Sequence, residues 1–96
     1  MNGNSIDTIE NLDGLFIEEL YLQQNRLRKL SGLSNLPVLK TLDISKNQIS
    51  KLKGLQDTQS LRFLRVQLNN VGKVGQLAYI EHLPLLTEVD LSCNPI

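Results

Sequence analysis

The chain has 96 residues, and its ten basic and ten acidic residues leave no formal net charge. This length suits one domain, and the balanced charge gives no sign of a nucleic-acid partner, which would favour a basic chain. One cysteine excludes an internal disulfide framework. Because no segment resembles a signal peptide or a membrane span, we expect a soluble, intracellular, cytoplasmic protein with no membrane partner.

A motif of the form LxxLxLxxNxL, or a close aliphatic variant, occurs four times. Its copies are Ile17–Leu27, Leu39–Ile49, Leu61–Val71 and Leu86–Ile96, and their first positions are 22, 22 and 25 residues apart. A fixed period of this length is typical of a solenoid, in which each repeat stacks on the next. We predict a single domain over residues 1–96, with partial repeats 1–16 and 86–96 flanking the repeats 17–38, 39–60 and 61–85.

Each motif predicts a short strand followed by a turn. In the second copy the aliphatic side chains of Leu39, Leu42 and Ile44 should point into the core, and Asn47 should lie in the turn. The amide of an asparagine has two donors and an acceptor, which can bond the unpaired backbone groups of such a turn. We therefore predict a structural ladder of asparagines: Asn25, Asn47, Asn69 and Asn94, with Asn4 beginning an earlier, incomplete copy.

After each asparagine, apolar residues recur at every third position, which favours a 3₁₀-like path along the convex back. The fourth back segment is longer and predicts a helical turn or two over about Val74–His82, with Pro84 helping to end it. The predicted fold is α/β: a right-handed solenoid with a short-stranded parallel concave sheet and 3₁₀ or helical convex segments.

Neither end of the chain shows the polar cap that a solenoid normally needs. We expect both caps to be missing and the chain to be an excised fragment of a longer array. The alternative is a naturally short product whose open ends pair with another chain. In either case the uncapped ends predict self-association.

Three short phrases on the predicted back, Leu12-Asp13-Gly14-Leu15, Ser31-Gly32-Leu33 and Lys53-Gly54-Leu55, match a known convex signature. With them the repeats resemble the 22-residue leucine-rich-repeat class typified by a regulatory subunit of the type-1 protein phosphatase. The tail, Tyr79–Leu86 and Asn94–Ile96, resembles the last repeats of leucine-rich-repeat and guanylate-kinase-domain proteins and of axonemal leucine-rich-repeat proteins. The resemblance implies an interaction module in a scaffold, cytoskeletal, ciliary or signalling assembly.

The residues between the core leucines should line the concave face, because side chains alternate along a strand. Across neighbouring strands we expect Glu18 to pair with Lys40, and Asp43, Arg65 and Asp90 to form a charged ladder. Phe63 beside arginines has the composition of an interface hot spot. The predicted partner-binding residues are Glu19, Tyr21, Lys40, Asp43, Arg62, Phe63, Arg65, Glu88 and Asp90. The alternative is a solvated, mixed-charge surface.

Candidates for chemistry are few. His82 has no second histidine or cysteine at the spacing of metal ligands, and Cys93 has no visible base or oxyanion site. We predict no catalytic site, metal or cofactor. Two functions remain open: an interaction module with a protein partner on its concave face, and a structural spacer between domains. The resemblance adds a phosphatase regulatory subunit, although in that subfamily the concave contacts are aromatic and acidic, whereas the central strand here carries Arg62 and Arg65.

Overall fold

The structure is a computed structural model that describes residues 5–7, 9, 12, 14–33 and 36–95. Four strands of three residues each form one sheet in the order β1-β2-β3-β4, and every neighbouring pair is parallel. The strands are β1 (Glu19–Tyr21), β2 (Thr41–Asp43), β3 (Phe63–Arg65) and β4 (Glu88–Asp90). The predicted parallel sheet of stacked repeats is confirmed.

The middle residues of β1, β2 and β3 are buried in the core. Leu42 and Leu64 are register partners on adjacent strands, and their side chains are 0% and 1% exposed. Aliphatic residues from the turns and the back fill the space behind the sheet. This burial of apolar area is the main force that holds a repeat to its neighbours, since each repeat alone cannot cover its own apolar face. Val89, at the same position of β4, remains 38% exposed.

The asparagine ladder is confirmed in the described repeats. Oδ1 of Asn47 accepts a hydrogen bond of 3.0 Å from the N–H of Leu27, in the preceding repeat. Its Nδ2 donates to the carbonyls of Leu22 at 3.0 Å and Ile44 at 2.9 Å. Oδ1 of the other ladder asparagines accepts equivalent bonds from the preceding turns: Asn25 from Ile6, Asn69 from Ile49 and Asn94 from Val71. Asn4 lies outside the described residues.

The convex back contains one 3₁₀ helix, Val74–Tyr79, among the described residues. The helical prediction is therefore confirmed in the longer fourth segment, although the helix ends before His82. The earlier back segments are series of turns. Glycines with positive φ, Gly14, Gly32 and Gly54, interrupt them, and a 3₁₀ helix requires negative φ at every residue.

In the part of the chain that the structure describes, no helix has the length and apolar character needed to cross a bilayer.

Candidate functional site on the concave face

A shallow groove lies on the concave face between β3 and β4. It has a volume of about 440 Å³, and its polar and aromatic lining comes from Phe63, Arg65, Thr87, Glu88 and Asp90. The strand register places Phe63 beside Glu88 and Arg65 beside Asp90. Phe63 remains 38% exposed, because its neighbour Leu64 takes the inward position. The groove thus combines an aromatic ring, a guanidinium and two carboxylates.

The predicted ladder of Asp43, Arg65 and Asp90 is wrong. Oδ1 of Asp43 accepts hydrogen bonds from the hydroxyl of Ser45 at 2.7 Å and from its backbone N–H at 3.1 Å. Asp90 is held in the same way by Ser92, at 2.7 and 3.0 Å. The structure describes all three residues of the predicted ladder, and no ion pair joins Arg65 to either carboxylate.

Asp43 therefore does not belong to the accessible site. It is only 8% exposed, and its carboxylate is occupied by the turn that follows β2. A buried carboxylate with local donors stabilises its own turn rather than a partner's cation.

The pKa of Asp90 is shifted mainly by Ser92. Hydrogen bonds from the hydroxyl and the backbone N–H of Ser92 hold the pKa of Asp90 below its ordinary value of 3.8, and the Arg65 guanidinium adds a smaller Coulombic effect. Asp90 is consequently ionised at neutral pH. It contributes negative potential to the groove, while the guanidinium donors of Arg65 face the groove without a carboxylate partner among the described residues.

The β1–β2 side of the concave face is internally paired. Nζ of Lys40 lies 3.2 Å from Oε1 of Glu18, which confirms the predicted pair. Both side chains are largely solvent-exposed, so this pair contributes only about 0–1 kcal/mol. The hydroxyl of Tyr21 donates to Oε1 of Glu19 at 3.2 Å. Desolvation of the phenol, and then the Glu19 carboxylate, raise the pKa of Tyr21 above its ordinary value of 10.0.

The remaining predicted residues, Arg62 and Glu88, are exposed at and beside β3 and β4. Leu68, in the turn after β3, is 46% exposed and has a φ of 60°. It adds apolar area beyond the strand end. The structure thus brings Phe63, Arg65 and Glu88 to one groove, whereas Tyr21 lies two strands away from Arg65.

The two residues considered for chemistry lie on the surface. Nε2 of His82 is 3.4 Å from Oε1 of Glu81, and among the described residues no group of three or more His, Cys, Asp or Glu side chains is placed to hold a metal ion. Cys93 is an exposed free thiol.

Sequence reasoning missed the two aspartate–serine turns. A local signal was available, since Asp43-Ile44-Ser45 and Asp90-Leu91-Ser92 share the spacing D-x-S at corresponding positions of two repeats. Asp and Ser at this spacing favour a local side-chain turn.

Models of leucine-rich repeats match two parts of the chain. One model, described as two copies of leucine-rich repeats, matches residues 17–57, and a single-repeat model matches residues 82–96. No curated protein matches the sequence significantly.

Two solved structures show the same fold. A chain in the crystal structure of the SNF/U2A' complex of Drosophila melanogaster is 31% identical, with a TM-score of 0.86, over 100% of this chain and 57% of that chain. An internalin (inlF) from Listeria monocytogenes is 31% identical, with a TM-score of 0.69, over 81% of this chain and 22% of that chain. This chain therefore spans little more than half of the first protein and about a fifth of the second.

The motif period, the four-stranded parallel sheet and the asparagine ladder agree with these matches. The chain belongs to the leucine-rich-repeat family.

Proposed function

We propose that this chain is a non-catalytic protein-binding module, whose concave face recognises a partner through the groove that contains Phe63 and Arg65. The observation that carries the proposal is the pairing of a partly exposed phenylalanine with an arginine that has no ion-pair partner among the described residues. Aromatic and arginine side chains are enriched at the energetic centres of interfaces.

The groove indicates the chemistry of the partner segment. An apolar side chain seated on Phe63 would remove apolar area from water, at about 25 cal/mol per Å². A carboxylate next to it could bind Arg65 in the bidentate geometry that guanidinium favours. Glu88, at the other side of the ring, suits a donor or a cation. The partner is therefore a protein segment with an apolar anchor between charges of opposite sign.

Comparison with known structures supports this proposal at the level of the fold. The Drosophila chain was crystallised in a protein complex, so a solenoid of this shape can serve as a binding subunit. The identity of that partner is not carried over to this chain. A place in a cytoskeletal or ciliary scaffold and a role in regulating a phosphatase stay predictions from the resemblance, and a cytoplasmic location stays a prediction from the sequence.

A capture experiment separates a binding module from a spacer. The baits are the wild-type chain, the concave variant Tyr21→Ala/Phe63→Ala/Arg65→Ala and the matched variant Phe16→Ala/Lys73→Ala/Val74→Ala. The matched variant also loses an aromatic ring and a cation, from exposed positions outside the strands. All baits must first show the same circular dichroism spectrum.

Proteins that bind the wild type and the matched variant, but not the concave variant, would support the proposal. If the concave variant retains the same proteins, or if no protein is captured by any bait, the spacer function is favoured.

A further inference from the structure

The zero net charge conceals a strong separation of charge along the chain. All ten basic residues lie between Arg26 and Lys73, and this span contains only two acidic residues, Asp43 and Asp57. The other acidic residues precede or follow it. The central repeats are therefore strongly basic, and both flanking segments are acidic.

Part of this positive charge forms a column on the convex back. The fourth residue after the ladder asparagine is a lysine in three successive repeats, Lys29, Lys51 and Lys73, at an interval of 22 residues. Because the strands of these repeats pair in register, the three lysines take corresponding positions along the back segments, and Lys29 and Lys51 border the same groove. Lys53 lies beside the column, and none of the four lysines forms an ion pair with a residue that the structure describes.

Three of these lysines border one groove. Lys29, Lys51 and Lys53 line a recess of about 500 Å³ together with Ser31, Gly32, Gly54 and Asp57, the one acidic residue of its lining among those that the structure describes. This volume is within the range of ordinary binding sites, about 300–1,000 Å³.

Two glycines of the groove lining lie where neighbouring repeats stack closely. A Cβ on Gly32 would lie 2.7 Å from the carbonyl oxygen of Ile9, and one on Gly54 would overlap the carbonyl of Leu30. Close stacking of the repeats therefore requires glycine here.

We propose that this basic groove on the back docks a short acidic polypeptide segment, with carboxylate or phosphorylated side chains opposite the lysines. The groove contains one stacked pair, Lys29 and Lys51, about 4.8 Å apart along the stack, with Lys53 beside it, so a segment of roughly two or three extended residues reaches all three lysines. Asp57, an acidic residue of the lining, repels a polyanion at that side of the groove, which favours a short segment over a long one.

A peptide fits this groove better than a nucleic acid does. Among the described residues no aromatic side chain lines it, whereas single-stranded nucleic acids are held by bases that stack on aromatic rings. A recessed groove with three lysines also suits a chain of separate carboxylates better than a flat lipid surface. This proposal concerns the face opposite the concave groove and stands independently of the function proposed above.

The test is fluorescence anisotropy with a labelled short peptide of alternating Glu and Gly, at low and at physiological salt. The back variant is Lys29→Gln/Lys51→Gln/Lys53→Gln. The control variant, Arg26→Gln/Arg28→Gln/Lys46→Gln, loses the same charge from exposed positions that line neither the back groove nor the concave groove. We expect the back variant to bind about tenfold more weakly than the wild type, equivalent to about 1.4 kcal/mol, and the control variant to bind nearly as well as the wild type.

Three results would overturn the proposal. The first is no binding by the wild type, and the second is equal weakening in both variants, which would indicate attraction by net charge alone. The third is tighter binding of an oligothymidylate or of phosphatidylserine vesicles than of the peptide, which would assign the groove to nucleic acid or to membrane. Circular dichroism of both variants, and a second back variant, Lys51→Glu, distinguish lost binding from lost folding.

Discussion

The hydroxyl of Ser45 donates a 2.7 Å hydrogen bond to Oδ1 of Asp43, and Ser92 holds Asp90 in the same way two repeats later. In both repeats the carboxylate stabilises the turn that leads to the ladder asparagine, instead of reaching across the sheet. As a consequence, Arg65 on β3 has an acidic neighbour on each side in register but forms no ion pair with either of them. Its guanidinium is thereby available to a partner.

The pKa of Asp90 tests this arrangement. The carboxyl titrates below 3.8 in the folded chain, chiefly because of Ser92, so its contribution to stability is present above its unfolded pKa and is lost as the pH falls through its folded pKa. We expect Ser92→Ala to raise the pKa of Asp90 and Arg65→Ala to raise it less, as measured by an NMR titration of the side-chain carboxyl carbon. A larger shift of the Asp90 pKa in Arg65→Ala than in Ser92→Ala would contradict the local turn and favour an ion pair between Arg65 and Asp90.

Asn47→Ala should destabilise the fold. The three carbonyls that accept from its amide keep other donors, Asn25 on Leu22, Asn69 on Ile44 and the Gln24 N–H on Ser45. The N–H of Leu27, in contrast, loses the acceptor Oδ1. A buried donor without an acceptor costs about 1–3 kcal/mol, so we expect the free energy of unfolding in urea to fall by about the same amount.

The exposed neighbour Asn70 provides the control for that prediction. Asn70→Ala should change the free energy of unfolding by less than about 0.5 kcal/mol. Similar losses in the two variants would mean that the ladder bonds contribute little.

Gly54→Ala should be more harmful than Gly14→Ala. Both glycines have positive φ, which costs an alanine about 1–2 kcal/mol. A Cβ at Gly14 meets nothing within 4 Å, but at Gly54 it overlaps the Leu30 carbonyl of the preceding repeat. We expect Gly54→Ala to lower the midpoint of thermal unfolding further, by an extra loss of about 1–3 kcal/mol for overpacking. Equal effects would contradict the close stacking of the back segments.

Leu64→Ala should remove a large part of the stability of the domain. The side chain is 1% exposed and lies in register between Leu42 and Val89, and a buried Leu→Ala change costs about 2–5 kcal/mol. Phe63→Ala, on the adjacent and outward position, should cost much less. The comparison is made by urea unfolding, and the reverse order of the two effects would mean that the register of β3 is shifted by one residue.

Much of the fold follows from the repeat period, because one motif specifies both the inward leucines and the turn asparagine. Leu42, Leu64 and Asn47 were placed correctly for this reason. The engagement of Asp43 by Ser45 was missed, since a hydrogen bond over two residues leaves no trace in the apolar period. The extent of helix on the back depends on local φ: Gly32 and Gly54 adopt positive values, whereas no such glycine occurs within Val74–Tyr79.

The charge distribution shows a second property that the overall composition does not predict. A net charge of zero is a property of the whole chain, while a partner meets one face at a time. Only the stacking of Lys29 above Lys51 makes a basic surface visible, and it does so on the side opposite Phe63.

The most direct test of the central claim is site-specific photo-cross-linking at the two phenylalanines. A photoreactive phenylalanine analogue replaces Phe63 in one chain and Phe16, which is exposed outside the concave sheet, in another. The chains are irradiated in a cell extract. If the concave groove binds the partner, a protein of the extract will cross-link through position 63, and Arg65→Ala will abolish this cross-linked product. The claim would be contradicted by cross-linking through position 16 alone, or by a product at position 63 that persists in Arg65→Ala.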